Sequence, residues 1–256
     1  MGRFHRHDDG TVHTHEHGDH PHEHGDHSEY ETGSQRIEVL ESIFAENDIR
    51  AGYNREAFER NGVRALNLMS SPGSGKTTVL AATLDEFAGE IAIGVIEGDI
   101  ATDLDAAKLG GRGAQISLLN TSNGFGGECH LDAPMVNRAL QSLDLARLDL
   151  VVIENVGNLV CPAEFDVGEH AKAMVYSVTE GDDKPLKYPV MFRAVDVVLL
   201  NKIDLVPYLD VDVDSYTAHI HQVNPTATIL PVSARTGDGM SAWFGWLRRF
   251  AAGDSP

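Results

Sequence analysis

One octapeptide, Ser70-Ser71-Pro72-Gly73-Ser74-Gly75-Lys76-Thr77, restricts what this chain can fold into more than any other stretch. The apolar run Ala65-Leu66-Asn67-Leu68-Met69 leads into it, and Thr78-Val79-Leu80-Ala81-Ala82 leaves it with helical composition. A strand, a glycine-rich turn and then Lys-Thr opening a helix form a cradle for a nucleotide phosphate chain. Backbone N–H groups point inward, the helix N-terminus adds positive potential, and the lysine reaches the outer phosphates. Gly73, Ser74, Gly75, Lys76, Thr77 and Thr78 are therefore the expected phosphate contacts. Lys76 and Thr77 are also expected to be catalytic, with the Thr77 hydroxyl on Mg²⁺. The generic pattern begins with Gly where this chain has Ser70, a departure confined to the entry of the loop.

The remaining apolar runs alternate with helical stretches, so the expected fold is α/β, a P-loop NTPase three-layer sandwich around a mostly parallel sheet. Expected strands are Ile91–Ile96, Gln115–Leu119, Leu148–Ile153, Ala173–Val178, Val195–Leu200 and Ala227–Val232. Asp103 is expected to cap a short helix ending at Leu109, and Asp132 one from Ala133 to Leu145. Met240–Ala251 should pack its Trp243, Phe244, Trp246 and Leu247 on the sheet. A formal charge of −19 excludes a general nucleic-acid binder, because phosphate backbones would be repelled. No apolar run approaches the ~20 residues that span a bilayer, and the N-terminus carries no signal-peptide core. The expected location is the cytoplasm, where the two cysteines, Cys129 and Cys161, are thiols or metal ligands rather than a disulfide.

Residues 1–34 differ in composition from everything after them. His5, His7, His13, His15, His17, His20, His22, His24 and His27 lie there among Asp, Glu and Gly, with almost nothing apolar. Such a segment cannot offset chain entropy by burial and is expected to be a disordered tail. Its imidazoles suit Ni²⁺, Zn²⁺ or Cu²⁺, and their irregular spacing differs from the uninterrupted run of an expression tag. Residues 35–256 form the second domain, opening with an amphipathic helical lead-in at Ile37, Leu40 and Phe44. Gly52 is expected to interrupt it, with Arg55–Arg60 a second short helix.

Within that domain, carboxylates at strand C-termini should face the ligand crevice. Asp99, after Ile91–Ile96, is a candidate for the Mg²⁺ shell. Glu154, closing its strand three residues before Gly157, is placed to sense the γ-phosphate and hold the metal's water shell. Asn201-Lys202-Ile203-Asp204, after a buried strand, selects the base. The Asp204 carboxylate can accept from guanine's N1–H and 2-amino group, a pair that adenine lacks. Lys202 would lie along the purine plane, Asn201 would tie this segment to the phosphate loop, and Ser233-Ala234 would brace the base. The nucleotide is thus GTP or GDP.

The chain from about Ile37 to Phe250 resembles the HypB family, GTPases that help insert nickel into [NiFe]-hydrogenases. The resemblance is carried by Leu68–Thr78, Cys129-His130-Leu131-Asp132-Ala133, Glu154–Pro162, Glu180–Pro189 and Asn201–Leu205. Ser70 suits this family, whereas the N-terminal cysteine site of some members is missing, which leaves the His-rich tail a storage or delivery role. The resemblance implies a slow GTPase acting as a homodimer, with Ni²⁺ or Zn²⁺ held at its interface by Cys129, His130 and Cys161. Two thiolates and an imidazole are a donor set that either ion accepts. It further implies that a lysine of Lys184–Lys187, with Lys187 preferred, reaches the partner's γ-phosphate. The implied partners are a HypA-like nickel-delivery protein and the hydrogenase large subunit. Alternatives are a urease-type nickel-insertion GTPase, whose Cys-Pro-His differs from Cys129-His130-Leu131, and a nickel or zinc storage protein with a secondary nucleotide site.

Overall fold

The computed structural model describes residues 5–6, 12–13, 32–98, 109–119, 130–157 and 165–254. The Asp103 cap and most of the tail expected to be disordered lie outside these residues. In the N-terminal unit, β1 (His5–Arg6) pairs antiparallel with β2 (Val12–His13). The rest of the chain is organised on a parallel sheet of seven strands: β3 (Arg64–Ser70), β4 (Ile93–Glu97), β5 (Gln115–Leu118), β6 (Leu150–Glu154), β7 (Ala171–Ser177), β8 (Val197–Asn201) and β9 (Thr228–Pro231). Their order across the sheet is β5-β4-β6-β3-β7-β8-β9. The chain leaves β3, skips a position to reach β4 and returns as β6, so the sheet's direction of growth reverses beside β3. Ligand crevices open at such a switch point, outside the strand C-termini.

The inner strands β3, β4, β6, β7 and β8 are buried on both faces, which explains their near-continuous apolar runs. Leu66 and Leu68 of β3, Leu150 and Val152 of β6, and Val197 and Leu199 of β8 share one core with Val79, Leu80, Trp243, Leu247 and Phe250. These come from the helices Lys76–Glu86 and Met240–Ala251. The aromatics of the last helix are core residues, as expected, and Trp243 Nε1 donates to Thr83 Oγ1 at 2.9 Å. On the other face, Val151 and Ile153 pack with Phe58, Leu131 and Val136, while Val198 and Leu200 pack with Phe192, Tyr216 and Ile220. Helix, sheet and helix make the three layers. No helix among the described residues is long and apolar enough to cross a membrane.

Two helical expectations differ from the structure, and one helix was not expected. The first helix runs unbroken from Thr32 to Asn61, straight through Gly52. A mid-helix glycine costs about 1 kcal/mol relative to alanine, but Ala51, Asn54 and Phe58 around it are buried and outweigh that cost. Asn54 alone donates to Ala133 O at 2.9 Å and Val167 O at 3.0 Å, and accepts from Asn137 Nδ2 at 2.8 Å. The helix capped by Asp132 stops at Leu140 rather than Leu145, because Ser142 Oγ bonds back to Ala139 O at 2.8 Å and draws the chain into a turn. A further helix, Val213–Val223, is capped by Asp212, whose carboxylate accepts from Asp214 N at 3.0 Å.

Candidate functional site

The loop after β3 carries two left-handed glycines, Gly73 at φ 76° and Gly75 at φ 100°. The second is fixed for another reason also: a Cβ there would lie 2.5 Å from Asn201 Nδ2. Asn201 closes β8 fully buried, with Nδ2 donating to Ser74 O at 2.8 Å and Oδ1 accepting from Ala234 N at 3.1 Å. Lys202, at φ 65°, is the one non-glycine residue with positive φ among the described residues, and its Nζ donates to Gly73 O at 2.6 Å. The loop after β3 and the loop after β8 are thereby joined.

Between them opens a cavity of about 220 Å³, lined by Gly75, Thr78, Asn201, Lys202, Asp204, Leu205, Ser233, Ala234 and Arg235. Asp204 Oδ1 accepts from Ser233 Oγ at 2.7 Å. That bond fixes the carboxylate and orients it in the pocket. A larger opening of about 790 Å³ lies at the N-terminal end of β4, between residues 84–93 and Gly111–Ala114. It contains none of the residues that the sequence nominates.

Below the loop, Glu154 Oε1 accepts from both Lys76 Nζ at 2.8 Å and Thr77 Oγ1 at 2.9 Å. The Lys76 and Glu154 side chains are 5% and 0% exposed. Glu154 Oε2 is buried with no hydrogen bond among the described residues. A hydroxyl and a carboxylate with a spare buried oxygen are the hard donors that Mg²⁺ takes, so Thr77 and Glu154 fit that ion. Asp99 lies outside the described residues. Glu97, which sequence reasoning passed over, is buried in direct register with Glu154 on the adjacent strand.

Above the loop stands a second carboxylate, also missed. Glu180 Oε1 accepts from Ser74 Oγ at 2.7 Å and Ser177 N at 2.8 Å, and its other oxygen pairs with Lys184. Burial raises the affinity of Glu180 for a proton, but hydrogen bonds from Lys184, Ser71, the Ser177 amide and Ser74 outweigh it and hold the carboxyl below its ordinary range. Lys184 Nζ also donates to Ser71 Oγ at 2.5 Å. Lys187 points elsewhere: it is 63% exposed and pairs with Asp183 at 2.5 Å. Within one chain, Lys184 is thus the lysine of this segment at the phosphate loop.

Of the expected nickel or zinc ligands, His130 is described and Cys129 and Cys161 are not. The His130 ring lies 4.2 Å from the Phe165 ring, which stacks at 5.1 Å on Phe44. Among the described residues no three His, Cys, Asp or Glu side chains gather into a metal site. The other described histidines of this domain, half-buried His170 and His219 and exposed His221, have structural partners. His170 Nδ1 accepts from Ala65 N at 2.9 Å, and His219 and His221 bond the Asp182 and Ala227 carbonyls.

Residues 64–231 match the family model described as CobW/HypB/UreG, nucleotide-binding domain. The hydrogenase maturation factor HypB of Azotobacter chroococcum is 49% identical over 216 residues, 84% of this chain and 70% of that protein. The protein of the same name from Escherichia coli K12 is 48% identical over 216 residues, 84% and 73% of the two chains. The crystal structure of HypB from Archaeoglobus fulgidus superposes with a TM-score of 0.75 at 37% identity, covering 81% of this chain and 99% of that one. HypB from Helicobacter pylori, solved in complex with nickel, gives 0.74 at 35% identity, covering 81% and 95%.

Proposed function

Because the chain belongs to the CobW/HypB/UreG nucleotide-binding family, and within it to the HypB hydrogenase maturation factors, we propose that it is a nickel metallochaperone. It binds and hydrolyses GTP to drive nickel insertion into a [NiFe]-hydrogenase. The observation that carries this reading is the joining of two loops by Asn201. One side chain holds Ser74 of the phosphate loop and Ala234 beside the Asp204 pocket, a construction that only a nucleotide with both base and phosphates uses in full. Asp204 reads guanine, and its bond from Ser233 prevents it from swinging away from the base.

Lys76 answers the charge on the outer phosphates, and the glycine-rich backbone supplies N–H donors. Thr77 and Glu154 would hold Mg²⁺, which supplies charge neutralisation at the phosphates when bound. Glu154 accepts from the cation of Lys76 and from the hydroxyl of Thr77. Entry of GTP therefore exchanges partners at this carboxylate, and the exchange occurs at the end of the strand whose next segment leads to Cys161. His130, with Cys129 and Cys161, is the nickel site of this proposal, and the tail histidines hold a reserve of the ion. The active unit is a homodimer in the cytoplasm, served by a HypA-like nickel-delivery protein and acting on the hydrogenase large subunit. Lys187, exposed on the domain surface, remains available to a partner's γ-phosphate.

Phosphate release from GTP and from ATP, measured beside equilibrium dialysis of Ni²⁺, tests the reading. Hydrolysis of GTP alone and a nickel site that survives removal of the tail support it. Equal cleavage of ATP, or no tight nickel after tail removal, would overturn it.

A further inference from the structure

The phosphate loop turns at Ser71-Pro72-Gly73-Ser74, where Ser74 N donates to Ser71 O at 3.3 Å. Proline at the second position and glycine at φ 76° at the third are the residues of a type II turn. Two carbonyls of this loop are held by the end of β8. Lys202 Nζ donates to Gly73 O at 2.6 Å and Asn201 Nδ2 to Ser74 O at 2.8 Å. A trans peptide sets its N–H opposite its C=O, so the bond to Ser74 O aims the Gly75 N–H the other way.

The hydroxyls at the two corners of the turn go to Glu180. Ser74 Oγ lies 2.7 Å from Glu180 Oε1 and 2.9 Å from Ser71 O. A hydroxyl has one proton, and of these two acceptors an ionised carboxylate is the stronger. Hydrogen bonds from Lys184, Ser71, the Ser177 amide and Ser74 keep the carboxyl ionised. Lys184 pairs with its other oxygen and also donates to Ser71 Oγ at 2.5 Å. One carboxylate and its counter-ion therefore grip both corners. Glu180 is itself anchored, because Glu180 N donates to Ser177 O and Val178 N to Asn201 O, each at 3.0 Å. Only a carboxylate satisfies this set: an amide would turn its N–H₂ either on Lys184 or on Ser74 and the Ser177 amide, donor against donor. At 1% exposure, Ser74 offers a ligand no side-chain surface, so its hydroxyl serves Glu180 alone.

We propose that Glu180 is a positioning residue for phosphate binding. Through Ser71 and Ser74 it holds the turn whose backbone N–H groups meet the phosphates, and Lys184 is its counter-ion in that task. The proposal rests on the reading above that this loop takes the phosphates of a nucleotide. Its sign is one that charge alone does not give. Glu180 is a negative group beside an anion site, so on Coulombic grounds its removal favours the anion. A loss of affinity on removing it has to come from the geometry of the turn.

Calorimetric titration of GDP and of guanosine into the full chain tests it in wild type, Glu180→Gln, Ser74→Ala and the double variant. Each single variant should lose about tenfold or more in GDP affinity, the worth of one hydrogen bond to a charged group. Guanosine, which meets only the Asp204 pocket, should bind them as it binds wild type. Both changes break the same bond, so the loss in the double variant should fall well short of the product of the two single losses. Unchanged or raised GDP affinity in Glu180→Gln overturns the proposal, as do losses that multiply in the double variant or a matching loss for guanosine. A wild type that binds no GDP overturns the reading of the loop and the proposal with it. If Glu180→Gln does not fold, Ser71→Ala combined with Ser74→Ala decides, since it removes both hydroxyls and keeps the ion pair. That variant should lose GDP affinity by about tenfold or more and retain guanosine, and wild-type GDP affinity in it overturns the proposal.

Discussion

Glu154→Gln should weaken the nucleotide-free protein far more than the nucleotide-bound one. The substitution keeps the side chain's shape and removes one charge from a pair whose members are 5% and 0% exposed. An exposed pair of this length would be worth less than about 1 kcal/mol. Breaking a buried pair costs about 3–5 kcal/mol, since the remaining charge was desolvated for a partner. Glutamine still offers an acceptor to Lys76 and Thr77, which places the cost at the low end, about 3 kcal/mol. At about 2–4 °C per kcal/mol for a domain of this size, the free variant should melt about 6–12 °C below wild type. Bound GDP gives Lys76 phosphate oxygens instead, so the deficit should shrink by about half or more in saturating GDP. Scanning calorimetry of both proteins, with and without GDP, supplies the four midpoints. A deficit of the same size with and without GDP would refute the partner exchange, and no deficit in the free protein would refute the value assigned to the pair.

Asp204→Asn should cost GTP about 2–4 kcal/mol of binding, about 30- to 1,000-fold, and favour xanthosine triphosphate; unchanged GTP affinity by calorimetry counts against guanine readout. Gly75→Ala should abolish nucleotide binding in a fluorescent-GDP titration, because its Cβ would meet Asn201 Nδ2 at 2.5 Å on a backbone at φ 100°. Glu180 has a folded-state affinity for protons below its ordinary value of 4.5, so its stabilising contribution is present above that pH and lost as pH falls through the folded value. Denaturant melts should accordingly show Glu180→Gln less stable than wild type at neutral pH, with the gap closing in acid; a gap independent of pH contradicts this. Deleting residues 1–34 should lower nickel stoichiometry by several ions while GTP hydrolysis stays nearly intact, and unchanged stoichiometry would show that the tail is no metal store.

The parts of the site legible in the sequence are those whose chemistry is local. Lys76 and Thr77 follow their glycines within one turn, and Asn201 ends a run, Val197–Asn201, that could only be a buried strand, with Asp204 just beyond it. The inner strands stood out because both faces are covered, giving apolar runs with sharp ends. What stayed hidden depends on direction rather than on spacing. Lys184 and Lys187 lie on one short helix, Lys184–Lys187, and the docking of that helix alone decides which lysine meets Ser71. Glu180 and Asn155 act through partners about 106 and 24 positions away, Ser74 and Leu131, and no local pattern announces such pairs. The helix Val213–Val223 did leave a signal in the spacing of Val213, Tyr216 and Ile220 behind Asp212. Gly52 misled because burial of its neighbours overrides its own propensity.

The bonds of Asn201 also set how the halves of a nucleotide add together. Ser74 O and Ala234 N are held by opposite ends of one amide, so the distance between the phosphate and base subsites is a fixed gauge rather than a hinge. Guanosine alone and diphosphate alone would each give up their own translational freedom to enter, whereas the joined molecule gives it up once. A site whose gauge is set before the ligand arrives collects that saving in full, and the intact nucleotide outbinds the sum of its fragments. A guanine nucleotide with a stretched or shortened link between sugar and phosphates would forfeit the saving while making every individual contact available to it.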